Sequence, residues 1–121
     1  MPTAELQLIN TPAKLVGSEG QGVRKISSLF NITRIHNSLC AISHLRRALD
    51  LAQDYSLKRM AFGRQLIDHP LHKKTLDDLE SQFKKIFALT FYVAHLLGRS
   101  ECGTATELEN NLLRVLTPIV K

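Results

Sequence analysis

The chain has 121 residues, 44% hydrophobic and 22% charged, with a formal net charge of +5. That is one domain's worth of chain with a single modest core. No apolar run approaches the roughly 18 residues a membrane span needs, and "MPTAELQL" lacks the basic-then-apolar order of a signal peptide.

The excess of cations leaves nucleic acid or another polyanion open as a partner. The basic residues come in pairs, Arg46-Arg47, Lys58-Arg59, Lys73-Lys74 and Lys84-Lys85, mixed with acids along helical patterns. A solvated helix surface accounts for such spacing. Cys40 and Cys102 stand far apart and outside any CxxC, which predicts reduced thiols in an intracellular protein. Mitochondrial, peroxisomal and cytoplasmic locations all stay open.

Residues 1–22 differ in character from the rest. "AELQLI" alternates apolar and polar residues as a half-buried strand does. "NTPAKLVGSEGQG" then brings a proline and three glycines, which is linker chemistry. One or two short strands are marginal in water without a larger sheet, so this segment reads as the end of a β-structure that begins earlier.

Val23 to Met60 contains no glycine or proline, and Ile35, Leu39, Ile42, Leu49, Ala52 and Tyr55 form an apolar stripe. The pattern predicts one long helix of roughly 57 Å at about 1.5 Å per residue, with Asn31 and Asn37 as places where it could be interrupted. A second stripe runs through Leu76, Leu79, Phe83, Ile86, Thr90, Val93 and Leu97. Asp68 or His69 can cap its start with Pro70 at the first helical position, and Gly98 is the expected stop. Leu108, Leu112, Val115 and Ile119 mark a third helix, capped by Thr104 or Thr106 and carrying Pro118 inside.

These patterns predict an all-α fold. It is an antiparallel up-down bundle of three helices, a four-helix bundle lacking one member, with a short β remnant at the N-terminus. Residues 1–22 form the strand and linker segment, and 23–121 the bundle.

The joint "LKRMAFGRQLIDHPLHKKTL" places a cation, an aromatic ring and a helix breaker between two helices. Structurally, Arg59 can cap carbonyls at the helix end, Phe62 can fold back on the finished helix, and Gly63 permits the turn. The wider order resembles the acyl-CoA dehydrogenase family. "LVGSEGQGVRKISSLFNITR" matches a Gly-x-x-Gly-x-Gly turn (Gly17, Gly20, Gly22) leading out of the middle β-domain into the first helix of the C-terminal domain. "RALDLAQDYSLKRMAFG" matches the family's Arg-Ala-Leu to Arg-x-x-Phe-Gly run.

By that resemblance, Arg59 reaches the diphosphate of an FAD held mainly by a neighbouring subunit, a task suited to a planar, permanently charged fork of donors. Met60 and Ala61 complete the flavin-contacting triplet, although Ala61 lacks the hydrogen-bonding side chain many relatives carry there. Phe62 packs near the flavin and shields it. Asn31 and Arg34 match positions lining the acyl-CoA channel. "LIDHPL" with Thr117-Pro118 looks like the alkylation-response branch, whose members keep FAD and in some cases bind DNA.

The resemblance implies the parent reaction: removal of an α-proton from an acyl-CoA thioester and hydride transfer to flavin, giving 2-enoyl-CoA, with electrons passed on to an acceptor. A glutamate general base is required. Most members carry it beyond the region matched here. A minority place it where Thr33 stands, and a hydroxyl cannot do that work unaided. No catalytic residue is therefore assigned within the chain, which reads as a fragment inactive alone.

Other constellations carry less. His69 and His72 could share a helix face, but no further ligand completes a metal site, so they read as surface or capping residues, as His36 and His44 read as channel or contact residues. Cys40 is expected on a buried face and Cys102 in a loop. Asp77, Asp78 and Glu80 suit the start of the second helix. Two alternatives stand beside the flavoenzyme reading: a nucleic-acid-binding module of the alkylation-response type, and a helical domain that builds a homo-oligomer.

Overall fold

The computed structural model describes residues 3–121, so the first two residues of the 1–22 segment lie outside it. Helix α1 spans Gly22–Lys58, a two-strand hairpin follows (β1 Met60–Ala61, β2 Arg64–Gln65), then a 3-10 turn Leu66–Asp68, α2 Pro70–Glu101 and α3 Glu107–Val120.

The 37-residue α1 is unbroken at Asn31 and Asn37, about 55 Å long at roughly 1.5 Å per residue. Four of its five buried residues, Ile35, Ile42, Leu49 and Ser56, recur every seventh position. Leu76, Phe83 and Thr90 do the same on α2. That repeat keeps one seam facing a partner helix along its whole length, so α1 and α2 pair antiparallel. α3 folds back over one end of the pair only.

Two apolar clusters result. Ile35, Val93, Leu96 and Leu113 meet where all three helices touch, while Ile42, Leu49 and Phe83 pack where only α1 and α2 do. α3 reaches α1 at its far end, where Ser38 donates to the Val120 carbonyl at 2.6 Å.

Several local expectations change. The strand expected within 4–9 does not form in the described residues: the N-terminal segment is irregular and exposed, because an isolated strand has no neighbour to take its backbone hydrogen bonds. The sheet instead lies in the joint, with Met60 opposite Gln65 and Ala61 opposite Arg64.

Gly98 does not stop α2. The helix continues to Glu101, and Gly103, at φ +69°, makes the turn. On α3 the face that packs runs through Leu112, Leu113, Leu116, Thr117 and Val120, leaving Leu108, Val115 and Ile119 exposed. The expected stripe was displaced because this short helix has apolar residues on two sides, and packing selected the other. Tyr55 and Cys40 are likewise exposed.

Thr106, not Thr104, caps α3. Its hydroxyl accepts from the Glu109 N–H at 3.3 Å, and the Glu109 carboxylate accepts from the Thr106 N–H at 2.7 Å. That reciprocal box satisfies two otherwise orphaned donors. Arg99 ties the box to α2 through Glu109 at 2.6 Å. The backbone bond from Thr106, then its hydroxyl and the Arg99 and His95 charges, hold the Glu109 carboxyl below its ordinary range against the opposing effect of burial.

Candidate functional site

α1 ends abruptly at the joint. Lys58 is its last residue, and Arg59 turns to extended backbone while its N–H still bonds the Tyr55 carbonyl at 2.9 Å. The Arg59 carbonyl then accepts from Leu66 N–H at 2.9 Å. Between them the chain makes a two-residue hairpin whose central residues, Phe62 at φ +51° and Gly63 at φ +81°, are both left-handed. Positive φ at both centres is the requirement of a type I′ turn, whose twist matches the strands it joins. Glycine adopts this freely. Phenylalanine does not, at a cost of about 1–2 kcal/mol.

Phe62 gains little local packing in return. It is 96% exposed, and its one recorded ring contact is edge-on to His69, with centroids 6.0 Å apart. The expectation that it folds back on α1 is corrected: the left-handed turn aims the ring away from the helix. Arg59 is also exposed, and among the described residues its guanidinium has no hydrogen bond or ion pair. Met60 is exposed and Ala61 half-buried. The four residues Arg59 to Phe62 thus form one outward-facing edge with a free cation and a free aromatic ring.

The first turn of α2 holds that edge from behind. Pro70 occupies the first helical position after His69, whose side chain makes no capping bond to the helix. Its Nε2 instead lies 3.1 Å from the Ala61 carbonyl. One turn on, His72 Nε2 stands 2.7 Å from Ser56 Oγ. Sequence reasoning passed over Ser56. The signal for it is a polar residue in the same seven-residue repeat as Ile35, Ile42 and Leu49, with a histidine at the start of the next helix.

Asn31 and Arg34 lie elsewhere. Arg34 Nη1 approaches Asn31 Oδ1 at 3.5 Å, one turn along α1. Phe30, Thr33, Arg34, Asn37 and Lys121 line an open groove. Two cations there with no Asp or Glu on α1 before Asp50 make the groove electropositive. Thr33 is engaged locally, donating to the Phe30 carbonyl at 3.0 Å. Twenty-five residues of helix separate Arg34 from Arg59, roughly 37 Å at about 1.5 Å per residue. The structure therefore does not bring the predicted cofactor and substrate residues together: they lie well apart along α1.

Elsewhere four of the cations, Arg46, Lys58, Lys84 and Arg99, are held in ion pairs. Arg46 bonds both oxygens of Glu80 at 3.0 Å, pairs with Asp50, and lies 5.1 Å over the Phe83 ring. The hydrogen bond to Asp50, with Glu80 behind it, raises its pKa further despite partial desolvation. Lys58 pairs with Asp54 at 2.8 Å. No group of three metal-ligating side chains occurs among the described residues, and none of their helices is long and apolar enough to cross a membrane.

Comparison with known proteins matches this architecture to one family. Residues 20–117 fit the model of the acyl-CoA dehydrogenase C-terminal domain. Acyl-CoA dehydrogenase family member 11 of Caenorhabditis elegans is 43% identical over 121 residues, covering 100% of this chain and 20% of that protein. AidB of Escherichia coli (strain K12) is 30% identical over 119 residues, 98% of this chain and 21% of its own.

Among solved structures, the apo form of Bd2924 superposes with TM-score 0.87 at 62% identity, covering 92% of this chain and 22% of that one. C. elegans ACDH-11 in complex with C11-CoA superposes with TM-score 0.83 at 42% identity, covering 88% and 18%. The chain spans about one fifth of the length of the relatives it matches. It belongs to the acyl-CoA dehydrogenase family, as a counterpart of the C-terminal helical domain.

Proposed function

We propose that this chain is the C-terminal helical part of an FAD-dependent acyl-CoA dehydrogenase, and that it contributes one edge to each of two active sites in a homo-oligomer. In this reading residues 1–22 are the end of a preceding β-domain and its linker. The observation that carries it is the joint: an unpaired, exposed Arg59 beside a Phe62 held outward in a left-handed conformation. A strained, solvent-facing aromatic is retained where something outside the described residues covers it.

The chemistry of this edge fits a dinucleotide. Arg59 offers a planar fork of donors to a diphosphate, and Phe62 offers a ring face that excludes water. The flavin would supply the hydride acceptor, with the protein providing binding and orientation. In the N-terminal half of α1, Asn31 and Arg34 line the acyl-CoA channel, where Arg34 and Lys121 place positive charge near an anionic CoA. The complex of C. elegans ACDH-11 with C11-CoA supports this substrate class. Since roughly 37 Å of helix lies between the two groups, we assign them to different active sites of the assembly.

The α-proton requires a carboxylate base within hydrogen-bonding reach, and Thr33 occupies the one matched position. The chain alone is accordingly inactive, and the base comes from outside it. FAD titration tests the cofactor assignment. In the full flavoprotein carrying this chain, Arg59→Ala should raise the FAD Kd about 10- to 100-fold, the loss of a charge-assisted hydrogen bond. An unchanged Kd would remove the assignment, and turnover of acyl-CoA by the 121-residue chain with a dye acceptor would overturn the claim of inactivity.

A further inference from the structure

We infer that Ser56 and His72 form a buried latch that positions the flavin-facing edge, a role that rests on the proposed FAD reading of Arg59. Ser56 is 1% exposed and ends the seven-residue repeat by which α1 packs on α2. Apolar residues hold the three earlier positions, so a hydroxyl here needs partners. It has two: the Ala52 carbonyl at 2.6 Å and His72 Nε2 at 2.7 Å.

A hydroxyl has one proton to give. Both partners are satisfied only when Ser56 donates to Ala52 and accepts from His72, which fixes the proton of the imidazole on Nε2. The bond joins the last turn of α1 to the first turn of α2, three residues before Arg59 and ten before the 3-10 turn Leu66–Asp68 begins. Hydrophobic contact at this position would hold the helices together but would let them slide. A single short, directional bond sets their register where it matters for the edge.

His69, one turn before His72, grips the hairpin itself through the Ala61 carbonyl at 3.1 Å. The latch therefore fixes the helix that carries the grip. Arg59 and Phe62 are exposed and have few restraints of their own, so their placement depends on this backbone frame. Ser56 and His72 are positioning residues: they lie behind the edge and act on a bound flavin through it.

The test is a double-mutant cycle in the full flavoprotein. Ser56→Ala and His72→Leu should each weaken FAD binding about 3- to 10-fold. The double variant should be no weaker than either single one, because both remove the same bond. His72→Gln, whose amide can reach the same hydroxyl, should restore most of the affinity. Additive losses, or unchanged FAD affinity in both single variants while Arg59→Ala loses it, would overturn the latch.

A second readout separates the latch from the flavin reading. In the 121-residue chain without FAD, Ser56→Ala should shift the backbone amide resonances of Arg59 to Ala61 and move His72 Nε2 from its protonated nitrogen-15 position. Unmoved amides would overturn the latch whatever FAD does. Moved amides with an Arg59→Ala variant that binds FAD normally would uphold the latch and remove the flavin reading.

Discussion

Replacing Phe62 by asparagine should make the chain more stable and the cofactor site worse. Phe62 sits at φ +51° in the first centre of the hairpin turn, next to Gly63 at φ +81°. A bulky residue pays about 1–2 kcal/mol in that region, whereas asparagine tolerates it and Asn-Gly is the preferred pair for this turn. Burial opposes the change very little, since the ring is 96% exposed. The edge contact with His69, at 6.0 Å between centroids, lies at the low end for such pairs because the ring is so exposed, about 0.5 kcal/mol. The net expectation for Phe62→Asn is a gain of about 0.5–1 kcal/mol, or roughly 2–4 °C in Tm for a domain of this size. FAD affinity in the full flavoprotein should fall about tenfold as the ring is lost. Urea unfolding of the chain and FAD titration of the flavoprotein read the two effects separately. A less stable Phe62→Asn chain would refute the strain account, and unchanged FAD affinity would refute the ring's role.

Two further outcomes follow from the bundle. The Thr90 hydroxyl is buried at 1% exposure without a hydrogen-bond partner among the described residues; Thr90→Val keeps its shape and should stabilise the chain by about 1 kcal/mol, read as a higher urea midpoint. The α3 cap should respond to acid: because the folded-state pKa of Glu109 is lowered, its stabilisation is complete above the ordinary glutamate value of about 4.3 and is lost as pH falls through the lower folded value. Glu109→Gln should flatten that part of the pH–stability curve, and Thr106→Ala should cost about 1 kcal/mol at neutral pH; an unchanged acid limb in Glu109→Gln would argue against the box.

Local chemistry determined much of this molecule. Thirty-seven residues without an internal glycine or proline yield one long helix. Pro70 sets the start of α2, and Thr106 with Glu109 sets the start of α3. The joint was legible only in part: Gly63 turns the chain as expected, but Phe62 faces solvent instead of folding back on α1, and the Arg59 guanidinium caps no carbonyl among the described residues. The family resemblance was legible because these short-range signals occur in a fixed order.

What only the tertiary structure decided depends on which faces meet. On α3 two apolar stripes compete, and packing on Val93 and Leu96 chose Leu113 over Val115. Gly98 stays helical, since a glycine tolerates a helix and ends one only where the chain must turn. The strand expected near the N-terminus found no partner. The Ser56–His72 bond likewise arises from the pairing of two long helices. Periodicity gives each helix its apolar side, but a hydrogen bond across helices exists only once their register is set.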